Sequence, residues 1–134
     1  MNKKVYTFMC LDLPHACHIH YLREAKKLGD YLIVGVLTDE VVMSYKRKPV
    51  MSFDERIQMA ESIRYVDKVV EQCKLDPTYL LKVFNPDILC HGDDWSNIPG
   101  SEWMKENGKE VKVIPYYQYQ STSKIINKIL KEYK

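Results

Sequence analysis

Two histidines separated by three positions carry the clearest chemical signal in the chain. His15 and His18 follow a turn and stand at the start of a segment with helical periodicity. At that spacing both imidazole rings lie on one side of the helix, beside unpaired backbone N–H groups and the positive end of the helix dipole. Such a place binds phosphate, and imidazoles there donate hydrogen bonds to phosphoryl oxygens. We therefore interpret the pair as a phosphate site rather than as loop histidines without a role.

A metal site is not favoured, because the pair lacks the HExxH pattern of helical zinc sites and no third ligand is spaced beside it. His20 is interpreted as an ordinary surface residue of the same helix. The four cysteines are widely spaced and form no CxxC pair; they are Cys10, Cys17, Cys73 and Cys90. Since no export signal is visible, they are predicted to be reduced thiols in a cytoplasmic protein.

Composition excludes several other classes of protein. The chain has 134 residues, 46% hydrophobic and 28% charged, which is typical of one globular domain and excludes disordered, collagenous and disulfide-stapled chains. Twenty basic residues against 18 acidic ones leave a net charge of +2, which does not indicate a nucleic-acid or membrane-surface partner. No apolar run approaches the roughly 20 residues needed to span a bilayer.

Segments with strand and helix character alternate along the chain. Short apolar segments predict five strands, at 5–9, 31–37, 68–70, 86–90 and 110–114. Helical periodicity, with capping signals at Ser52 and Ser121, predicts helices after these strands, at about 19–28, 52–63, 76–83, 99–107 and 121–131. The polar segment 38–49 is predicted to be a loop, and the apolar face of the last helix, Ile125, Ile126, Ile129 and Leu130, is predicted to point inward. The pattern predicts a single α/β domain over residues 1–134, Rossmann-like, with about five parallel strands flanked by helices.

Polar clusters follow four of the predicted strands. In a parallel sheet, ligands bind outside the carboxyl ends of the strands, where the strand order reverses. The clusters are Asp12 with the two histidines, the basic run Lys46-Arg47-Lys48, the segment Gly92-Asp93-Asp94-Trp95, and the stretch from Tyr116 to Ser123. Their shared placement predicts one site at this edge.

The segment DLPHACHI at 12–19 resembles the HxGH signature region of the nucleotidyltransferases, in the cytidylyltransferase branch, whose usual form is GTFDxxHxGHI. Similar segments continue in order along nearly the whole chain, as AKKLGD at 25–30, TDE at 38–40, RYVD at 64–67, GDDW at 92–95 and STS at 121–123. The resemblance is to small bacterial cytidylyltransferases that act on glycerol 3-phosphate or in phosphonate pathways.

The resemblance implies a reaction and a set of site residues. It implies transfer of CMP from CTP, with Mg²⁺, to a small phosphate or phosphonate acceptor, releasing pyrophosphate. His15 and His18 would hold the triphosphate and stabilise the transition state, and Lys46 would reach the phosphates from a mobile loop. Nucleotide-binding roles are implied for Asp12, Cys17, Arg56, Arg64, Gly92, Asp94, Trp95, Ser121 and Thr122. No protein ligand for a metal is predicted, and a homodimer is expected.

Departures from the family pattern leave two alternatives. Cys17 replaces the glycine of HxGH, and the stretch 116–120 lacks the arginine and glycine of the RTxGIST form. The alternatives are an adenylyltransferase of the same fold and a non-catalytic nucleotide-binding homologue, although GDDW and RYVD favour cytidine. The reaction requires no nucleophilic role for Cys17.

Several site residues also have a structural interpretation. Trp95 would be a core aromatic, Arg64 a helix-end cation beside Asp67, and the basic run at 46–48 a solvated charge run. Tyr116, Tyr117 and Tyr119 would form a core or interface stripe.

Overall fold

A computed structural model describes residues 2–115 and 120–133. Its single sheet has five parallel strands: β1 Lys4–Met9, β2 Tyr31–Leu37, β3 Lys68–Gln72, β4 Ile88–Gly92 and β5 Glu110–Ile114. Their order is β3-β2-β1-β4-β5. The predicted parallel α/β fold is therefore confirmed, with strand ends within two residues of the predicted ones.

In the described residues, six helices flank the sheet: α1 Ala16–Lys26, α2 Asp39–Met43, α3 Phe53–Ser62, α4 Thr78–Phe84, α5 Ser101–Glu106 and α6 Thr122–Glu132. Five of them were predicted. The exception is α2, which lies in the segment predicted to be a loop. The Thr38 hydroxyl caps it by accepting the Val41 N–H, and Val41 and Val42 are buried beneath it. A helix of five residues is too short to show periodicity, so its sequence pattern does not distinguish it from a loop.

The order of the strands creates a crevice at the centre of the sheet. The chain runs from β1 outward through β2 to β3, and then crosses to the other side of β1 for β4 and β5. Connections on the two sides leave the carboxyl edge in opposite directions, so a gap opens there between β1 and β4. The segments that follow these two strands are therefore the ones that line the gap.

Two apolar layers hold the sheet between its helices. Alternate residues of β1 and β2 enter opposite layers, with Val5 and Leu32 on one face and Tyr6 and Ile33 on the other. Side chains from α1 complete the first layer, and Leu81 of α4 lies in the second. The central strands are thus rigid supports for the loops at their ends.

The last helix departs from the prediction. Ser121 caps α6 as predicted, since its hydroxyl oxygen accepts the Lys124 N–H at 3.0 Å. The apolar face, however, packs inward only in part: no described residue of α6 is fully buried, Ile125 and Ile126 are half-buried, and Ile129 and Leu130 are 49% and 59% exposed. Amphipathic periodicity identifies an apolar face, whereas the position of the helix relative to the sheet decides whether this chain covers it. None of the helices in the described ranges is long and apolar enough to cross a membrane.

Candidate functional site

The polar clusters meet in a cleft of about 500 Å³ at the carboxyl edge of the sheet. Its walls come from the segments after β1, α2 and β4 and from the start of α6. Nine of the predicted site residues line it: Asp12, His15, Cys17, His18, Lys46, Asp94, Trp95, Ser121 and Thr122. The structure brings these residues together, and their individual roles remain predictions.

The two histidines cap the helix that they begin. His15 Nδ1 accepts the Cys17 N–H at 3.2 Å, and His18 Nδ1 accepts the His15 N–H at 3.1 Å, so the pair forms a reciprocal capping box. The ring centroids are 4.0 Å apart. Because each Nδ1 accepts a hydrogen bond, each neutral ring carries its proton on Nε2. The cap therefore fixes two N–H donors at the cleft.

Burial keeps both imidazoles neutral. Desolvation lowers the pKa of His15 below its ordinary value of 6.5. Desolvation, followed by the neighbouring His15 and Lys46, lowers the pKa of His18 to about 3. At neutral pH the pair thus offers hydrogen-bond donors without adding positive charge.

Asp12 holds together three segments of the cleft. Its carboxylate is buried and accepts the N–H groups of Val50 at 2.8 Å and Met51 at 2.9 Å, and the Arg47 guanidinium at 3.2 Å. Burial opposes ionisation, but these three donors outweigh it and hold the pKa of the carboxyl below its usual range. The Asp12 carbonyl accepts the Thr122 hydroxyl at 2.7 Å, which ties the start of α6 to the same residue.

The backbone around Asp12 is strained. Leu11 and Leu13 have φ of 57° and 48°, in the left-handed region that residues other than glycine seldom adopt. Each costs on the order of 1–3 kcal/mol and persists only where the surroundings enforce it. The Asp12 hydrogen bonds and the burial of Leu11 supply that constraint. Between these two residues, the Asp12 carboxylate contacts the 47–51 segment.

An aromatic wall forms the other half of the cleft. Tyr45 and Trp95 have ring centroids 5.9 Å apart, and His91 meets Trp95 edge-on at 6.4 Å. His91 Nδ1 lies 3.3 Å from Asp94 Oδ1, but the geometry is not that of a hydrogen bond. This Nδ1 atom therefore has no hydrogen-bond partner among the described residues. Aromatic surface of this kind suits a planar base. Trp95 thus lies at the cleft while also packing against the core.

Two cleft residues, Tyr45 and His91, were not among the site residues predicted from the sequence. The available signal was their position, since Tyr45 directly precedes Lys46 and His91 directly precedes the GDDW segment.

Three predicted site residues lie outside the cleft wall. Arg56 is fully buried, and its Nη1 donates to the carbonyls of Cys10 and Leu37 at 2.7 Å each while Nη2 donates to Asp39 at 2.6 Å. It therefore joins the ends of β1 and β2 beneath the site. Arg64 is exposed and stacks on the Tyr65 ring at 5.1 Å.

The third, Gly92, is the buried last residue of β4. Neither it nor the two arginines line the cleft, and their predicted nucleotide contacts stay predictions.

Lys46 and Cys17 lie on the cleft wall. Lys46 Nζ lies 5.5 Å from the Tyr45 ring centre, and the Lys46 N–H donates to the Val42 carbonyl at 3.0 Å, which anchors the lysine to α2. Cys17, at the position of the family glycine, is 7% exposed and lines the cleft. The tyrosines predicted as a stripe at 116, 117 and 119 lie outside the described residues.

Comparison with known proteins agrees with this geometry. A family model described as cytidylyltransferase-like matches residues 7–129. The bifunctional protein HldE of Campylobacter fetus subsp. fetus is 40% identical over 129 residues, covering 93% of this chain and 27% of the relative. HldE of Citrifermentans bemidjiense is 36% identical over 98% of this chain and 28% of its own length. The chain thus spans less than a third of these relatives.

Solved structures show the same architecture. The lipopolysaccharide core biosynthesis protein of Thermoplasma volcanium superposes with a TM-score of 0.74 at 27% identity, covering 88% of this chain and 98% of that one. Pantoate-beta-alanine ligase of Francisella tularensis, with a TM-score of 0.56 at 16% identity, covers 96% of this chain and 70% of the ligase and shares the fold alone. Since the family match covers most of the chain and the signature histidines lie at the expected crevice, the protein belongs to the cytidylyltransferase-like family of HxGH nucleotidyltransferases.

Proposed function

We propose that the protein transfers AMP from ATP to a sugar phosphate and releases pyrophosphate. The curated relatives that match nearly the whole chain are HldE proteins, and the solved structure at 27% identity is described as a lipopolysaccharide core biosynthesis protein. The HldE relatives favour the adenylyl alternative over CMP transfer, and the lipopolysaccharide core description favours a carbohydrate acceptor over glycerol phosphate or a phosphonate. Arg64, in the RYVD segment that favoured cytidine, also lies outside the cleft. CTP remains the second candidate, on the description of the family.

The cleft residues support an in-line displacement. An acceptor phosphate oxygen attacks the α-phosphorus, the bond to the bridging oxygen breaks, and pyrophosphate leaves with that electron pair. The Nε2–H groups of His15 and His18 donate to phosphoryl oxygens, and the Lys46 ammonium neutralises charge as it develops. Phosphoryl transfer depends mostly on such positioning and charge neutralisation, so no covalent nucleophile is needed.

A magnesium ion fits this cleft as a companion of the triphosphate. In the described part of the chain, no group of three or more His, Cys, Asp or Glu side chains forms a cage. The Asp12 oxygens are engaged by protein donors, whereas the Asp94 side chain is 52% exposed and open to the cleft. Asp94 would hold the ion, which supplies charge neutralisation on the phosphates, since Mg²⁺ is commonly bound by one or two carboxylates together with substrate phosphates.

The observation that carries the proposal is the pair of neutral imidazoles fixed by their own capping box beside Lys46. The test is pyrophosphate release with ATP and with CTP over a panel of sugar 1-phosphates, glycerol 3-phosphate and 2-aminoethylphosphonate. We expect turnover with ATP and a sugar phosphate. Faster release with CTP would overturn the choice of nucleotide. Binding of nucleotide without any release would favour the non-catalytic alternative.

A further inference from the structure

The basic segment between α2 and α3 is attached to the cleft through one buried carboxylate. Asp12 is 4% exposed, and each of its carboxylate oxygens accepts a backbone N–H from the segment, from Val50 and from Met51. Lys46 precedes these anchors and is itself bonded to the end of α2. The segment is therefore held at both ends, and the residue between Lys46 and Lys48 is the one that reaches back to Asp12.

That residue, Arg47, is placed as a ligand-binding group. Its Nη1 donates to Asp12 Oδ2 at 3.2 Å and to the Lys48 carbonyl at 3.2 Å, while 42% of its side chain remains exposed and it lines the cleft. Both hydrogen bonds to described residues start from Nη1, which leaves the donors of Nη2 and Nε for a ligand. Lys48 carries the same charge one position later but does not line the cleft.

We propose that Arg47 is a further phosphate-binding residue of the cleft and that Asp12 is the positioning residue that holds it there. A guanidinium presents N–H donors in a planar fork that matches two phosphate oxygens. A long exposed side chain loses rotamer freedom when it binds, and a fixed carboxylate partner reduces that loss beforehand. The carboxylate of Asp12 thus acts through Arg47 and the segment, not by contact with the nucleotide.

This inference rests on the proposed function for its ligand, a nucleoside triphosphate, and its test uses binding rather than turnover. Dissociation constants for inorganic pyrophosphate and for ATP are measured by calorimetry at one ionic strength with Mg²⁺. We expect Arg47→Ala to weaken pyrophosphate binding about tenfold, the scale of one hydrogen bond to a charged group. Arg47→Lys should recover part of the loss, and the matched control Lys48→Ala should change the constant by about twofold or less.

The positioning role of Asp12 is tested separately, by comparing single and double variants. With Arg47 present, Asp12→Asn should raise KM for the nucleotide. The double variant, Asp12→Asn with Arg47→Ala, should bind pyrophosphate no more weakly than the weaker-binding of the two single variants. Losses that add would mean that Asp12 acts independently of Arg47 and would overturn its positioning role. If Asp12→Asn does not fold by circular dichroism, the comparison of Arg47→Ala with Lys48→Ala decides the proposal.

Failure of the two proposals is distinguishable. Equal effects of Arg47→Ala and Lys48→Ala would overturn this inference alone, because they would show a diffuse basic patch. A wild-type protein that binds pyrophosphate through Arg47 but transfers no nucleotide would overturn only the proposed function. Absence of any pyrophosphate or ATP binding by the wild type would overturn both.

Discussion

At the scale of single residues, His15 and His18 each have two tasks. Nδ1 of each ring satisfies a backbone N–H at the start of α1, and Nε2 is left to donate into the cleft. The structural task fixes the tautomer that the chemical task needs. A residue replacing either histidine must therefore supply both a cap and a donor.

Removing either imidazole is expected to abolish most of the activity. His15→Ala and His18→Ala should each lower turnover by about 100-fold or more, the scale of losing one preorganised donor to the transition state. Each should also cost about 1 kcal/mol of stability, because a capping hydrogen bond is lost. Pyrophosphate release and urea unfolding measure the two effects. Retained turnover in both variants would show that the cleft is not the phosphate site.

The low pKa of His18 predicts how stability depends on pH. The folded-state pKa is about 3, and the ordinary value is 6.5, so the unfolded chain binds a proton that the folded chain does not. The contribution of the neutral imidazole is therefore complete above pH 6.5 and is lost as pH falls from 6.5 toward 3. We expect the urea midpoint to fall between pH 7 and pH 5, and to fall less in His18→Gln. Identical pH profiles would contradict the burial of a neutral ring.

At the scale of elements, the short helix α2 changes the interpretation of the basic segment. Composition predicted a mobile loop, whereas α2 anchors Lys46 and Asp12 anchors the residues after it. Lys46 and Arg47 both line the cleft, whereas Lys48 does not. The mobility of the segment itself remains a prediction.

Lys46 is expected to act on turnover more than on stability. Lys46→Ala should strongly reduce kcat/KM and change Tm little, since an exposed lysine contributes little to folding. Lys46→Arg should rescue only part, because a planar fork does not reproduce a compact ammonium. Lys48→Ala is the matched control, because it changes the net charge of the protein by the same amount as Lys46→Ala. Equal losses at both lysines, fading as ionic strength rises, would instead mean that the segment only steers the ligand.

Substitution of the two predicted site arginines, Arg56 and Arg64, should have very different effects on the free energy of unfolding. Arg56→Ala leaves two strand-end carbonyls without their buried donor, which costs about 1–3 kcal/mol for each unsatisfied group, and it removes the partner of the part-exposed Asp39. Arg64→Ala, the exposed control, should stay within about 0.5 kcal/mol. Urea unfolding of both variants measures the difference. A stable Arg56→Ala protein would contradict the role of Arg56 as the link between β1 and β2.

At the scale of the whole molecule, the described part of the chain leaves the Ile129 and Leu130 end of the apolar face of α6 uncovered. The family resemblance implies a homodimer, and this stays a prediction. We expect light scattering to give about twice the 15.8 kDa mass of the chain. A mass equal to one chain over a range of protein concentrations would contradict the homodimer.

The features that sequence alone determined are local in the chain. The strands, five helices, the Ser52 and Ser121 caps and the histidine pair depend on periodicity and on residues within one helical turn, so near neighbours encode them. The sequence also predicted the sheet edge at which the polar clusters meet, because parallel strands present their carboxyl ends together.

Only the tertiary structure decided which partner each polar side chain meets. Asp12 is 38 positions from Val50 and Arg56 is 46 positions from Cys10, and no spacing rule connects residues so distant. Tertiary structure likewise decided the exposed face of α6, the position of Arg64 outside the cleft, and the wall built by Tyr45 and His91. Burial and pairing depend on how separate segments pack, because the free energy of a polar group is set by the donors, charges and solvent that the fold places around it.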